Sequence, residues 1–299
     1  MEETRVKKPS RKYWDIATGI LVVLALAGYG GYRYNKLHDE NVANKNRITE
    51  LERSLFNSEE SLALSRVENQ SLLSRLTQEQ NVNTGLATQI GQISSNVATL
   101  TKLSQTDKEL LQKYSKVYFL NENYVPSNLS NIDERYLNED AKKPQQFHAN
   151  ALPYLNKLLN AAAGSGINLQ VLSGYRSFDT QSALKQNYKF IYGSGANAFS
   201  ADQGYSEHQL GTAIDFTTIK VGPGLSGFDK DPAFAWLVQN AYKHGFILSY
   251  PKQNEYYEFE PWHWRFVGVA LAAKLYNDNA LFYYLDQRDM DKFLVNIFD

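Results

Sequence analysis

The chain has 299 residues, enough for one large domain with extensions or for two domains. Its 31 basic and 32 acidic side chains nearly cancel, so bulk charge gives no ground for nucleic-acid binding. With no cysteine it can form neither disulfides nor thiolate metal sites, and any metal must be held by His, Asp and Glu.

At the N-terminus, Arg5, Lys7, Lys8, Arg11 and Lys12 precede an uncharged, largely apolar stretch from Ile16 to Tyr32. That stretch is near the lower limit for a spanning helix, which needs about 20 residues to cross a hydrocarbon core of about 30 Å. Two readings fit it: a cleaved signal peptide and an uncleaved signal anchor. The span is long for a signal sequence, Tyr13 and Trp14 stand at its start as interface anchors would, and a helical segment follows at once, so the anchor is the expectation. The basic cluster keeps the N-terminus in the cytoplasm and sends the rest across the membrane.

From Lys36 to Lys113 there is no proline, and the apolar residues follow one heptad register. One seam runs through Ile48, Leu55, Leu62, Asn69, Leu76, Asn83, Ile90, Val97, Ser104 and Leu111. The other runs through Leu51, Ser58, Ser65, Leu72, Glu79, Leu86, Ile93, Leu100, Asp107 and Tyr114. Such a repeat predicts a coiled coil, and Asn69 and Asn83 on one seam suggest a parallel pair in fixed alignment, a homodimer. The polar seam positions make it a weak one, and a solitary helical stalk is the alternative. Either form is a spacer on the order of 110 Å long.

The 20 tyrosines and 15 phenylalanines concentrate after Tyr114, where a core can form. Val117 to Leu120 is a short apolar run. Gln145 to Ala163 has helical composition, with His148 at its start and Gly164 and Gly166 after it. Ile167 to Leu172 alternates as a strand does, and Ser182 to Tyr192 is helical. Asn197 to Tyr205 is a polar loop. Leu210 to Phe216 and Phe246 to Tyr250 read as strands, with a helix from Pro232 to Lys243 between them and Gly245 ending it. Helices and short strands mix without a βαβ rhythm, so the class is α+β.

Of the five histidines, His38 lies in the stalk, His148 at a helix start and His244 at a helix end; none of these contexts suggests chemistry. The other two lie in unusual segments. In Ser206-Glu207-His208-Gln209-Leu210-Gly211-Thr212-Ala213-Ile214-Asp215-Phe216, strand alternation puts Ile214 and Phe216 on one face and Asp215 on the other. An ionised Asp within an apolar strand needs a partner, and a divalent metal is the strongest available. His208 lies just before the strand, within reach of the same ion if the chain bends back. In Glu258-Phe259-Glu260-Pro261-Trp262-His263-Trp264-Arg265-Phe266, Pro261 argues against a regular central strand, so Glu260 and His263 need not point apart. Two His and one Asp make a three-ligand zinc site with a position left for water. Glu260 is then the candidate general base; the bland alternative is an ion pair between Glu260 and Arg265. A third segment, Ser173-Gly174-Tyr175-Arg176-Ser177-Phe178-Asp179-Thr180-Gln181, follows a strand and precedes a helix. Arg176 there can grip a carboxylate bidentately, or it is a solvated residue at a helix entry.

These three segments, S-G-Y-R-S-x-x-x-Q, S-x-H-x-x-G-x-A-x-D and E-x-W-H-x-R in that order, resemble the VanY-like D-alanyl-D-alanine carboxypeptidases. The resemblance runs from about Tyr114 to Leu285 and takes in Asn123-Tyr124-Val125-Pro126 and Gly245-Phe246-Ile247-Leu248-Ser249-Tyr250-Pro251. It implies a small antiparallel sheet with flanking helices, a zinc ion on His208, Asp215 and His263, and Glu260 as base and then proton donor to the leaving amine. It also implies that Arg176 holds the substrate, with Gln181, Ser206 and Tyr250 lining its pocket. The substrate class it implies is the peptide stems of peptidoglycan. Two departures bear on specificity: Ala201-Asp202-Gln203-Gly204 lacks a proline common there, and the loop from Lys252 to Glu258 is short.

The expectation is therefore a cytoplasmic tail and transmembrane anchor over residues 1–35, a coiled-coil stalk over 36–113 and a zinc carboxypeptidase domain over 114–299 outside the cell membrane. An endopeptidase of the same family, and a non-catalytic module that binds the wall or activates another enzyme, are the competing readings.

Overall fold

In the computed structural model, the secondary structure is described for residues 11–113, 118–192 and 201–299. The basic residues Arg5, Lys7 and Lys8, the seam position Tyr114, Val117 and the first part of the loop at Asn197 lie outside the described residues. The chain divides into two units, Met1–Gly91 and Gln92–Asp299.

The first unit is helical throughout its described part. It belongs to α1, Arg11–Ser104, a single helix of 94 residues. No proline occurs between Pro9 and Pro126, so nothing in the backbone interrupts the hydrogen-bond ladder. The apolar span and the heptad positions Ile48, Leu51, Leu55, Leu62, Leu72, Leu76, Leu86 and Ile90 are all exposed. A helix of this length does not owe its stability to burial within its own chain.

The helix stops at Ser104, short of the Lys113 that the heptads predict. Asp107 adopts an extended backbone, and its carboxylate accepts hydrogen bonds from the Tyr124 hydroxyl and from the Ser127 backbone and side chain. A one-turn 3-10 helix at Lys108–Leu111 then drives Leu110 and Leu111 into the core, both fully buried. Leu111 and Asp107 thus leave the seams, because a globular core offers the leucines more burial than an exposed stripe does.

In the second unit, β1 (Leu129–Asn131) and β2 (Gln146–His148) form a small antiparallel ribbon. His148 therefore lies on a strand and not at a helix start; helix α2 begins only at Leu152 and runs to Gly164. Strand β3 (Gln170–Ser173), helix α3 (Phe178–Tyr192), strand β4 (Ala213–Thr217), helix α4 (Pro232–Asn240), strand β5 (Phe246–Leu248) and strand β6 (His263–Phe266) follow, then helices α5 (Val269–Asn277) and α6 (Gln287–Asp291). The main sheet has the order β3-β4-β6-β5, with every neighbouring pair antiparallel. This is the α+β class expected, with its small antiparallel sheet, flanking helices and long preceding helix.

The register decides what faces what. Ile214 opposes Trp264 and Asp215 opposes His263. Ile214, Phe216, Trp264 and Phe266 join the core with Leu155, Leu158 and Leu159 of α2 and with Leu271, Ala272 and Leu275 of α5. The alternate positions Asp215 and His263 emerge on the other face, as the period of two requires. Leu110→Ala and Leu111→Ala in the full chain should each lower stability by about 2–5 kcal/mol. The readout is the thermal midpoint of the near-UV circular dichroism of the tyrosine-rich domain; an unchanged midpoint would count against a core role for this pair.

Candidate metal centre and cleft

Asp215 on β4 and His263 on β6 are cross-strand partners, so their side chains must meet. His263 Nδ1 lies 3.1 Å from Asp215 Oδ1. His208 reaches the same carboxylate from a one-turn 3-10 helix, Glu207–Leu210, with its Nε2 3.2 Å from Asp215 Oδ2. Gly211 ends that turn in the left-handed conformation (φ 69°), where any other residue is strained and where a side chain would run into Leu129 and Pro126. This bend carries the chain from His208 back into β4. One donor atom from each of His208, Asp215 and His263 lies within 4.8 Å of the others, and all three residues are buried.

The hydrogen bonds around the cluster orient its lone pairs. The Gly174 carbonyl is 2.7 Å from His208 Nδ1, so that nitrogen carries the proton and donates. Gly174 must be glycine for the approach, because a Cβ there would collide with the Gln146 backbone carbonyl. His208 Nε2 is then left with its lone pair turned toward the Asp215 carboxylate, buried and without a hydrogen-bond partner. On the other ring, His263 Nε2 is 2.9 Å from Glu207 Oε2. Donation there leaves His263 Nδ1 facing Asp215. Acceptors converging on one point inside protein are satisfied by a cation, and two imidazoles with one carboxylate suit zinc.

The titration behaviour carries the same message. Burial pushes the Asp215 carboxyl up, but His208 and His263 beside it outweigh that and hold it well below the usual range. Burial, with the Arg176 charge second, lowers His208 to about 4. Burial also opposes charge on His263, yet its hydrogen bonds with Asp215 and Glu207 prevail and lift it to about 9. A proton on His263 and a metal ion thus compete for the Nδ1 lone pair.

Glu260 stands at the edge of the cluster, its Oε2 3.9 Å from His263 Nδ1. The turn Glu260–His263, closed by the His263 N–H to the Glu260 carbonyl, comes before β6 begins, which is why the two side chains share one side. Burial raises the Glu260 carboxyl to about 7, against the pull of His263. The alternative pairing with Arg265 is not what forms. Arg265 instead donates from Nη1 to Glu207 Oε1 at 2.7 Å.

Arg176, at the β3–α3 turn, brings its Nη2 to 3.6 Å from Asp215 Oδ2. It lines a cavity of about 610 Å³ with Gln181, Ser206, His208, Asp215, Tyr250, Glu260 and His263. Every candidate residue of the sequence reading thus borders one cleft. The Tyr250 ring stacks on His263 at 4.2 Å between centroids and 9° between planes. Two contributors were missed. Glu207, next to His208, has no motif to betray it, and only the fold buries it against His263. The loop Pro223–Gly227 also lines the cavity. Its signal was the glycine-rich run Gly222-Pro223-Gly224-Leu225-Ser226-Gly227, in which Leu225 holds an uncommon positive φ of 57°.

Residues 144–269 match the family model described as VanY, D-alanyl-D-alanine carboxypeptidase. The chain is 36% identical over 187 residues to the putative carboxypeptidase YodJ of Bacillus subtilis (strain 168), covering 59% of this chain and 66% of that one. It is 34% identical over 142 residues to a D-alanyl-D-alanine carboxypeptidase of Enterococcus faecium, covering 46% of this chain and 43% of that one. It therefore spans between somewhat under half and about two thirds of the length of these relatives. Among solved structures, the LdcB LD-carboxypeptidase superposes with a TM-score of 0.51 at 34% identity, over 56% of this chain and 80% of that one. The chain belongs to the VanY-like D-alanyl-D-alanine carboxypeptidase family.

Proposed function

We propose that the chain is a zinc carboxypeptidase that removes the terminal D-alanine from peptidoglycan stem peptides, held at the membrane by its N-terminal helix. The observation that carries the chemistry is the convergence of the His208, Asp215 and His263 acceptors on one buried point, with the Glu260 carboxylate beside it and an open cleft in front. The substrate class rests on family membership. The anchor rests on the apolar start of α1, which has the length and composition to cross a membrane. The division into anchor, stalk and catalytic domain is part of the same proposal.

Bound by His208, Asp215 and His263, zinc would supply Lewis acidity, lowering the pKa of water to about 7 and polarising the scissile carbonyl. Glu260 Oε2 takes a proton from the attacking water and returns it to the nitrogen of the leaving alanine. Its carboxyl, raised by burial to about 7, is suited to both halves of that exchange. Arg176 has a buried Nε with no hydrogen-bond partner among the described residues and offers its guanidinium to the substrate carboxylate or to the developing oxyanion. Gln181 and Ser206 line the cleft where a stem peptide would lie, and Tyr250 fixes the plane of His263.

The test is mass spectrometry of wall stem peptides incubated with the purified chain, with and without a chelator. The expected product is the stem shortened by one alanine, lost with chelator and regained with zinc. An internal cut would make the chain an endopeptidase, and no cleavage by zinc-loaded protein would favour a binding module. Glu260→Gln should keep its zinc while losing roughly 10²–10⁴-fold in rate; an unchanged rate would remove Glu260 from the mechanism.

The pH dependence has a definite sign. Zinc must displace the proton that His263 holds up to about pH 9, so apparent zinc affinity should rise by up to about tenfold per unit toward that pH. The base works ionised, and a bound cation can only lower its pKa, so kcat/KM should fall with acid through a pKa at or below about 7. A zinc affinity flat between pH 6 and 8, measured by competition with a chelating dye, would contradict the proton displacement.

The exposed heptad seam of α1 leads us to assign it a second copy of this chain as partner. Residues 36–299 should sediment as a dimer, and a monomer at high micromolar concentration would rule this out.

A further inference from the structure

Glu207 is fully buried, and unlike its neighbours Ser206 and His208 it does not border the cleft. It cannot reach substrate. Its side chain points instead into the domain, where four donors converge on it. Ser249 Oγ at 2.8 Å, Arg265 Nη1 at 2.7 Å and the Tyr283 hydroxyl at 2.6 Å donate to Oε1, while Oε2 faces His263 Nε2 at 2.9 Å. A buried ion pair is an expensive way to fill space, since an apolar pair of similar volume often stabilises a fold as well or better. His208 has its Nδ1 proton held by a backbone carbonyl, with no charge involved. For His263 the chain devotes a buried carboxylate and a buried arginine to the equivalent task.

We propose that Glu207 is the positioning residue of this centre: it holds the Nε2 proton of His263 so that Nδ1 faces the metal, and through Arg265 it ties that ligand to the segment following α1. The first half follows from geometry. Among the described residues Glu207 Oε2 is the group facing His263 Nε2, and an acceptor there commits the ring to the tautomer whose Nδ1 is a ligand. The second half follows from strand alternation. Arg265 lies two residues after His263 on β6, on the same face, and its side chain reaches both Glu207 and the chain's own backbone. Its Nη2 donates to the carbonyls of Leu110 at 2.8 Å and Gln112 at 3.1 Å, in the segment that follows the end of α1 at Ser104. The ligand, the carboxylate, the guanidinium and the backbone at 110–112 form one continuous hydrogen-bonded path. Coupling along it is reciprocal: metal binding orders the segment, and an ordered segment favours metal binding.

The inference rests on the metal reading above, and the experiment separates the two. Zinc affinity of the full chain is measured by competition with a chelating dye, alongside the His263 ring tautomer in the zinc-loaded protein by nitrogen-15 NMR. Glu207→Gln should weaken zinc by roughly 10–100-fold. The double variant Glu207→Met/Arg265→Met removes both charges together and guards against misfolding of the single one. It should show the same loss, with a mixed His263 tautomer and a cooperative melt. Gln112→Pro, which distorts a carbonyl that Arg265 binds and leaves the buried Leu110 in place, should weaken zinc by a smaller factor while leaving residues 207 and 263 untouched. Wild-type affinity and tautomer in a folded double variant would overturn the positioning role and leave the metal site standing. Wild-type protein that takes up no zinc would overturn both.

Discussion

Asp215 and His263 face each other across two central strands, and neither can turn away without moving the sheet. The core face of the same strands carries Ile214, Phe216, Trp264 and Phe266, so a one-residue slip that separated the pair would also empty the core. The hydrophobic register therefore enforces a buried polar cluster in which one carboxylate is held against two imidazoles. The rest of the domain supports that contact. The left-handed turn at Gly211 brings His208 in, the Gly174 carbonyl accepts a hydrogen bond from its Nδ1–H, and Tyr250 closes over the face of His263.

Around this centre the two carboxylates next to the histidines serve different ends because their surroundings differ. Glu207 is buried against burial's own tendency to protonate it, and the Arg265 charge with the His263 hydrogen bond holds it ionised, its pKa near 2. Glu260 forms no ion pair with an arginine among the described residues, and burial prevails over the pull of His263 and Arg176, raising it to about 7. One acid is a fixed charge and the other can exchange a proton near neutrality. That separation, more than the presence of carboxylates as such, makes acid–base chemistry in this cleft reasonable.

Burial of Leu110 and Leu111 and the reach of Arg265 to their backbone make the segment after α1 part of the domain's interior. Tyr283 donates to the same Glu207 carboxylate that Arg265 holds.

Much of the candidate site was legible in the sequence because its residues are local and chemically exposed to pattern. His208 and Asp215 share one short segment, Glu260 and His263 another, and alternation along β4 already put Asp215 opposite the apolar face. The α+β class followed from the mixture of short strands and helices, and the long N-terminal helix from an unbroken heptad. What escaped depended on distance in sequence. His148 sits on a strand because β1 supplies a partner that its helical-looking neighbourhood does not announce. The seam ends at Ser104 because Leu110 and Leu111 find a core that no heptad count can foresee. Arg265 chose Glu207 over Glu260 because strand alternation puts it on the face it shares with His263, where the turn before β4 delivers Glu207. The sequence by itself determined which groups are available to bind a metal and move a proton, since residue types and short spacings are one-dimensional. Only the tertiary structure decided which nitrogen of each histidine faces Asp215 and which acid is fixed or labile. Those properties arise from burial and from partners brought together across 34 to 155 residues by the fold.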